Sequence, residues 1–103
     1  MATRCTIKIE NIDYAKVYKH CDGHPKHMLQ WLTEFNVNFN KIRGDDAQYK
    51  FAQLLRSSVR DDDRYHLDNS EYTGWGVVKI GDECGDEFKY TLHANGSVSM
   101  IAV

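Results

Sequence analysis

The chain has little of what would stabilise a small secreted protein. It contains one proline and three cysteines in 103 residues. An odd number of widely spaced cysteines argues against a disulfide framework. No apolar run reaches the roughly 18 residues that a transmembrane helix needs, and the first residues lack the apolar segment of a secretory signal. We therefore expect a cytoplasmic protein with free thiols and no membrane partner.

Excess charge of either sign is also missing. Thirteen Lys and Arg residues oppose fifteen Asp and Glu, which gives a net charge of −2. No overall field therefore draws the chain to nucleic acid or to an anionic membrane. A chain of this length can bury one core without metals or disulfides. We predict a single domain over residues 1–103.

Motifs of the common enzyme classes are absent as well. The sequence has no serine nucleophile elbow, glycine-rich phosphate loop, Cys-x-x-Cys or His-Glu-x-x-His. Cys21 follows His20, but neighbours on a strand point to opposite faces and cannot act as nucleophile and base. We expect no catalytic residues, no cofactor and a protein that is not an enzyme.

Alternating apolar and polar residues begin the chain. Residues 5–10 and 14–21 each alternate, as strands with one buried face do. The Asn11-Ile12-Asp13 segment between them has side chains that favour turns. This pattern predicts an antiparallel hairpin.

Helical periodicity replaces the alternation after Asp22-Gly23. Pro25 suits the first position of a helix, where its fixed φ and missing N–H cost nothing. Gly44 ends this helix, and asparagines near its end predict fraying of the last turns. The apolar stripe of the first helix comprises Met28, Leu32, Phe35, Phe39 and Ile42, widened by Leu29 and Trp31; the asparagines are Asn36, Asn38 and Asn40.

A second helix follows at once. Asp45 is expected to cap it, because a carboxylate accepts free N–H groups at a helix start. The run Asp61-Asp62-Asp63 is unfavourable at a helix C-terminus, so the helix should stop near Arg60. Its apolar stripe comprises Ala47, Phe51, Leu54, Leu55 and Val59.

The remainder of the chain returns to strand patterns. Asn95-Gly96 predicts a tight type I′ turn between the last two strands. We expect a surface loop over 60–72, strands over 73–80, 88–93 and 98–103, and a polar turn over 81–87.

The order β-β-α-α-β-β-β predicts an α+β domain with a five-stranded, mainly antiparallel sheet. Two amphipathic helices should cover one face and leave the other partly open. Basic and aromatic side chains interleave on that open face, a pattern that single-strand nucleic-acid binders also use. Glu10 and the acidic loops offset this charge, so a solvated face or a homodimer interface is the simpler interpretation. We expect the face to display Lys8, Lys16, Tyr18, His20, Lys89, Thr91 and His93, with Trp75.

Three histidines and a cysteine concentrate between His20 and His27. A zinc site would use His20, Cys21, His24 and His27, yet the spacing matches no zinc motif. In a second hypothesis, His20, Lys26 and His27 would bind an anion at the start of the helix. The simplest interpretation is a turn followed by a helix. We assign no metal ligand and take the following as candidate binding residues: Tyr18, His20, Asp22, His24, Lys26, His27 and His93.

The stretch from Tyr18 to Pro25 contains Tyr-x-His-x-Asp-Gly-x-Pro, and Arg43-Gly44-Asp45-Asp46 opens the second helix. This pattern resembles small uncharacterised proteins of phage and prophage genomes, over about residues 16–56. His24 stands where those proteins often have an aromatic residue. The resemblance implies a binding or regulatory module acting on a host or phage macromolecule, such as an inhibitor of a host system. It implies no particular chemistry.

Overall fold

The computed structural model describes residues 3–61 and 74–103, which form two helices and five strands. Their order along the chain confirms the predicted α+β class. The elements are β1 (Cys5–Ile9), β2 (Ala15–Lys19), α1 (Pro25–Arg43), α2 (Ala47–Asp61), β3 (Trp75–Lys79), β4 (Phe88–Leu92) and β5 (Val98–Ala102). Neither helix is long and apolar enough to cross a membrane.

The strands form one sheet in the order β3-β2-β1-β4-β5. Sequential neighbours pair antiparallel, as predicted, whereas β1 and β4 pair in parallel with Cys5 opposite Phe88. A parallel pair needs a long crossover, and here the chain between the two strands includes both helices and β3. β1 therefore lies at the centre of the sheet.

Both helices pack on one face of the sheet and bury a single core. β1 contributes three of its residues, Cys5, Ile7 and Ile9, and Ile7 is fully buried. Burial of one such aliphatic side chain stabilises the fold by about 1.5–3 kcal/mol. The core comprises Cys5, Ile7, Ile9, Ile12, Val17, Met28, Leu32, Leu54, Tyr90 and Leu92.

The expected fraying of α1 is wrong, because two of its asparagines are bound. Asn36 is buried and its Nδ2 donates to the carbonyls of His93 and Ser97 at 3.0 and 2.9 Å. Asn40 donates to the carbonyl of Ala94 at 2.7 Å. These bonds hold the last turns of α1 on the β4–β5 hairpin. Ile42 is 87% exposed, so the buried stripe stops before it.

The start of α2 also differs by one residue from the prediction. Asp46, not Asp45, caps the helix: its Oδ1 accepts the N–H of Tyr49 at 3.2 Å. Gly44 has φ +76° and turns the chain so that Asp46 reaches this position. The helix ends at Asp61, close to the predicted stop. The rest of the predicted loop over 60–72 lies outside the described residues.

The β4–β5 turn is not type I′. That turn needs positive φ at both central residues, whereas Gly96 has φ +96° and Asn95 does not have positive φ. The N–H of His93 donates to the carbonyl of Ser97, which leaves a loop of Ala94, Asn95 and Gly96. A left-handed glycine at its third position is typical of such hairpins.

Trp75 does not lie on the open face of the sheet, contrary to expectation. It pairs with Lys19, which shares the helix-covered face with Val17. Its ring lies 5.9 Å from that of Trp31 on α1, and the ammonium of Lys19 lies 4.4 Å from it. Gly76 and Val78 are the β3 residues on the open face, because side chains alternate along a strand.

Candidate functional site

The open face presents two lysines on neighbouring strands. Lys8 on β1 and Lys16 on β2 each lie one residue beyond the last registered pair, Ile7 with Val17, and alternation along the strands places both on the open face. Like charges close together on neighbouring strands destabilise a sheet when no counter-charge is present. Neither lysine forms an ion pair with any residue in the described part of the chain. These positions are therefore suited to meeting a negatively charged group from outside.

The segment over 81–87 folds back onto this face. Thr6 on β1 donates its hydroxyl to Asp86 at 2.8 Å and is only 3% exposed. The N–H of Glu87 donates to the carbonyl of Arg4 at 2.9 Å. Gly85 has φ +72°, and a Cβ there would lie 2.8 Å from the Arg4 guanidinium. The sheet face is therefore partly covered by a loop with defined contacts.

A groove of about 540 Å³ separates this loop from the strands. Asp82, Glu83 and Asp86 contribute carboxylates from the loop, whereas Lys16 and Lys89 contribute ammonium groups from the sheet. The remaining lining residues are Gly81, Gly85 and Val103. The groove thus carries charges of both signs on different elements. Such a surface suits a ligand that also carries both signs.

Tyr18 and His20 come together at the end of β2 beside this face. The Tyr18 hydroxyl lies 2.8 Å from Nδ1 of His20, and both side chains are half-buried. Burial raises the pKa of Tyr18 above its usual value, and the positive charge of Arg4 partly opposes this shift. The pair offers an aromatic surface and a polar edge next to the lysines.

His24 has a structural role that we did not predict from the sequence. It is the N-cap of α1, and its Nδ1 accepts the N–H of Lys26 at 3.2 Å. Its ring contacts Phe88 edge-on, at 5.2 Å between centroids. One of the free N–H groups that an anion would use is therefore already bonded. The position immediately before Pro25 was the available signal for this cap.

The other members of the cluster stay apart. Asp22 adopts φ +59° and turns the chain, with its side chain exposed. Cys21, Lys26 and His27 are exposed. Within residues 3–61 and 74–103, no group of three or more His, Cys, Asp or Glu side chains is arranged to hold a metal ion. The described residues thus give no support to the zinc hypothesis.

His93 lies far from the other candidate histidines. His93 follows the last residue of β4. His24 contacts Phe88 at the other end of this strand, roughly 17 Å away along the extended chain. Nδ1 of His93 lies 3.1 Å from Oε2 of Glu10, and its Nε2 lies 2.8 Å from the Ser99 hydroxyl. Glu10 also accepts the N–H of Ala94 at 2.8 Å. This N–H is the main reason why the pKa of Glu10 is lowered, and the bond with His93 is second.

The Ser99–His93–Glu10 chain has the bonding order of a hydrolase triad. However, Ser99 is exposed on the outermost strand β5 and does not line the groove. The chain connects the end of β1 to both strands of the β4–β5 hairpin. We therefore assign it to holding the hairpin in register. From the sequence we predicted His93 as a candidate residue but neither Glu10 nor Ser99. The parallel β1–β4 pairing brings Glu10 beside His93, whereas Ser99 reaches it across the antiparallel β4–β5 hairpin.

Comparison of the chain with models of known protein families, with curated proteins and with solved structures finds no significant match.

Proposed function

We propose that this protein is a binding module whose open-face groove takes a segment of another protein. The groove between the 81–87 loop and the lysines of β2 and β4 carries this proposal, because it presents carboxylates on one side and ammonium groups on the other. The partner segment would carry acidic residues toward Lys16 and Lys89 and basic residues toward Asp82, Glu83 and Asp86. Complementary charges of this kind set specificity and association rate.

The defined position of the loop supports a recognition role. Thr6 and Arg4 hold the loop through Asp86 and Glu87, so the groove exists before any partner binds. A preformed site loses less conformational entropy on binding than one that must be ordered first. A groove that is held in place in this way supports a binding role.

The resemblance to phage proteins extends the proposal to a biological setting. We propose that the partner is a host or phage protein and that binding regulates it, for example by inhibiting a host system. We also propose that this takes place in the cytoplasm. Cys5, Cys21 and Cys84 are all free thiols, which suits a reducing compartment.

Lysine-reactive cross-linking tests the proposal directly. The tagged protein is incubated with bacterial lysate, treated with an amine-reactive cross-linker, captured and digested, and its cross-linked peptides are identified. We expect one partner to be joined through Lys16 or Lys89. Lys41 and Lys26 are exposed on α1, away from the groove, and should not link to that partner.

A charge-reversed variant provides the matched comparison. Lys16→Glu combined with Lys89→Glu should lose the partner, whereas Lys41→Glu should retain it. Equal recovery by all three proteins would contradict a role for the groove. Cross-links through Lys26 or Lys41 alone would assign binding to the helix face instead.

Binding of single-stranded nucleic acid is a second candidate function. It is favoured by one observation: Lys8 and Lys16 lie on the open face of neighbouring strands, with Tyr18 next on the same face of β2. Lysines can neutralise phosphates while an aromatic ring stacks on a base. We place this function second because three carboxylates line the adjacent groove and would repel a polyanion.

Fluorescence anisotropy with a labelled single-stranded oligonucleotide tests this alternative. If Lys8, Lys16 and Lys89 each neutralise a phosphate, a plot of log affinity against log salt concentration should have a slope of about −2. Tyr18→Ala and Lys16→Ala should each weaken binding. Absent or salt-independent binding would rule out this function.

A further inference from the structure

β5 is an outer strand of the sheet. Within residues 3–61 and 74–103 it pairs with β4 alone, so no strand of this part of the chain bonds to its other side. The N–H of His93 donates to the carbonyl of Ser97, and the N–H of Val103 donates to that of Glu87. Hydrogen bonding alternates along an antiparallel pair, so Ser99 and Ile101 also bond to β4. The N–H and C=O groups of Val98, Met100 and Ala102 therefore point away from the sheet.

This edge lacks the features that usually prevent strand pairing. Natural outer strands are blunted by charged residues, proline or bulges. β5 reads Val-Ser-Met-Ile-Ala, with no charge and no proline, and pairs with β4 in an unbroken register. Its apolar side chains are exposed: Met100 by 37%, Ile101 by 66% and the following Val103 by 76%.

The apolar surface continues from β5 onto α1. Leu29 lies on the same face of α1 as Asn36 and Asn40, because residues seven and eleven positions apart share a helix face. Both asparagines bond to the β4–β5 turn, and α1 packs against both strands, so Leu29 lies on the side of α1 that is turned toward this hairpin. Leu29 is 38% exposed. An edge with free backbone groups is thus bordered by apolar side chains.

We infer that β5 pairs antiparallel with β5 of a second copy of this chain, about a two-fold axis at Met100. In this register Met100 faces the partner's Met100, and Val98 faces the partner's Ala102. Each free N–H and C=O of these residues then finds an equivalent on the other copy. Shifting the register by two residues leaves some of these groups unpaired. The contact is isologous, as in most dimers of identical chains.

A second copy fits this edge better than a charged peptide. β5 carries no charge, so two copies of the strand can pair without bringing like charges together. A charged peptide would find no opposite charge on β5. Two five-stranded sheets would join into one continuous sheet, and both copies of Leu29 would lie beside the junction. The inference does not rest on the proposed function, because Val98, Met100 and Ala102, whose backbone groups carry it, do not line the groove, although Val103 borders both surfaces.

Sedimentation equilibrium over a hundredfold concentration range tests the inference. The wild-type protein should form dimers in a concentration-dependent manner. Met100→Lys places two ammonium groups at the axis and should raise the dimer dissociation constant at least about tenfold. Val77→Lys introduces the same charge at a 52% exposed valine on β3, the opposite edge strand, and should leave dimerisation unchanged.

Amide hydrogen exchange reports the register and does not depend on whether the variants fold. The N–H groups of Met100 and Ala102 should become protected as protein concentration rises. Those of Ser99 and Ile101 should be protected at every concentration, because they bond to β4. A monomer throughout the range, or loss of dimers in Val77→Lys but not in Met100→Lys, would overturn the inference.

Discussion

The Tyr90 hydroxyl donates a buried hydrogen bond of 2.7 Å to the carbonyl of Gly23. This bond connects β4 to the segment that precedes α1. Gly23 is itself buried, and a Cβ at this position would lie 2.7 Å from Cβ of Cys5 and 2.8 Å from the carbonyl oxygen of Thr3. Packing thus accounts for Gly23 in the Asp22-Gly23 turn, and we assign it a structural role. The binding surface that we propose lies elsewhere.

Gly23→Ala should destabilise the protein, because the methyl group would overlap backbone and side-chain atoms of β1. Overpacking of this kind costs about 1–3 kcal/mol in free energy of unfolding. Urea denaturation followed by circular dichroism measures this cost. Gly76→Ala is the matched control, because a Cβ at Gly76 meets nothing within 4 Å. Equal stability of both variants would contradict the close approach at Gly23.

Asn36→Ala should also lower the free energy of unfolding, by about 1–3 kcal/mol, because it removes two hydrogen bonds from a buried amide to the ends of the β4–β5 turn. Asn38 is two residues away and exposed, so Asn38→Ala should change stability little. Thermal unfolding of the two variants distinguishes a specific bond from a general effect of asparagine in α1. A loss in Asn38→Ala as large as that in Asn36→Ala would refute the assignment.

Glu10 should make stability depend on pH in the acid range. The N–H of Ala94 and the His93 ring lower the pKa of Glu10 from its usual value of 4.5 in the folded state. A depressed folded pKa means that the carboxylate contributes stability above pH 4.5, which is lost as the pH falls through the folded pKa. Glu10→Gln should therefore reduce the decline in melting temperature below that pH. An unchanged decline would contradict the contribution of Glu10.

The cysteines should react with maleimide in the order of their exposure. Cys21 is exposed and should be labelled in the folded protein. Burial raises the pKa of Cys5 to about 12, so its reactive thiolate is scarce as well as inaccessible. Cys84 is half-buried, and its pKa is raised mainly by burial, so it should react more slowly than Cys21. Mass spectrometry of peptides after timed labelling shows the order, and labelling in urea should modify all three. Rapid labelling of Cys5 in the folded state would be inconsistent with this core.

Local patterns in the sequence were sufficient to predict the elements of the fold. Alternation identifies β1 and β2, and apolar residues every three or four positions identify both helices, because each pattern reflects one buried side. Trp75 is the exception. Because glycine interrupts the alternation of apolar and polar side chains in β3, the sequence is compatible with Trp75 on either face of the sheet. Its pairing with Lys19 places it on the helix-covered face.

Contacts between distant parts of the chain could not be predicted in this way. The groove depends on the bond between Thr6 and Asp86, which are 80 positions apart. The bond between His93 and Glu10 depends on the parallel pairing of β1 with β4, two strands that are far apart in the sequence. Candidate residues such as His20 and Tyr18 could be identified from strand alternation, because they are close neighbours on one strand. The acidic side of the groove could not.

The affinity of charge-reversed variants for the partner that cross-linking identifies tests the central claim most directly. Isothermal titration should show that Lys16→Glu with Lys89→Glu weakens binding at least about tenfold, since exposed ion pairs contribute up to about 1 kcal/mol each and reversal adds repulsion. Lys41→Glu should bind like the wild type. Unchanged affinity of the doubly reversed protein, with its fold intact by circular dichroism, would contradict binding through the open-face groove.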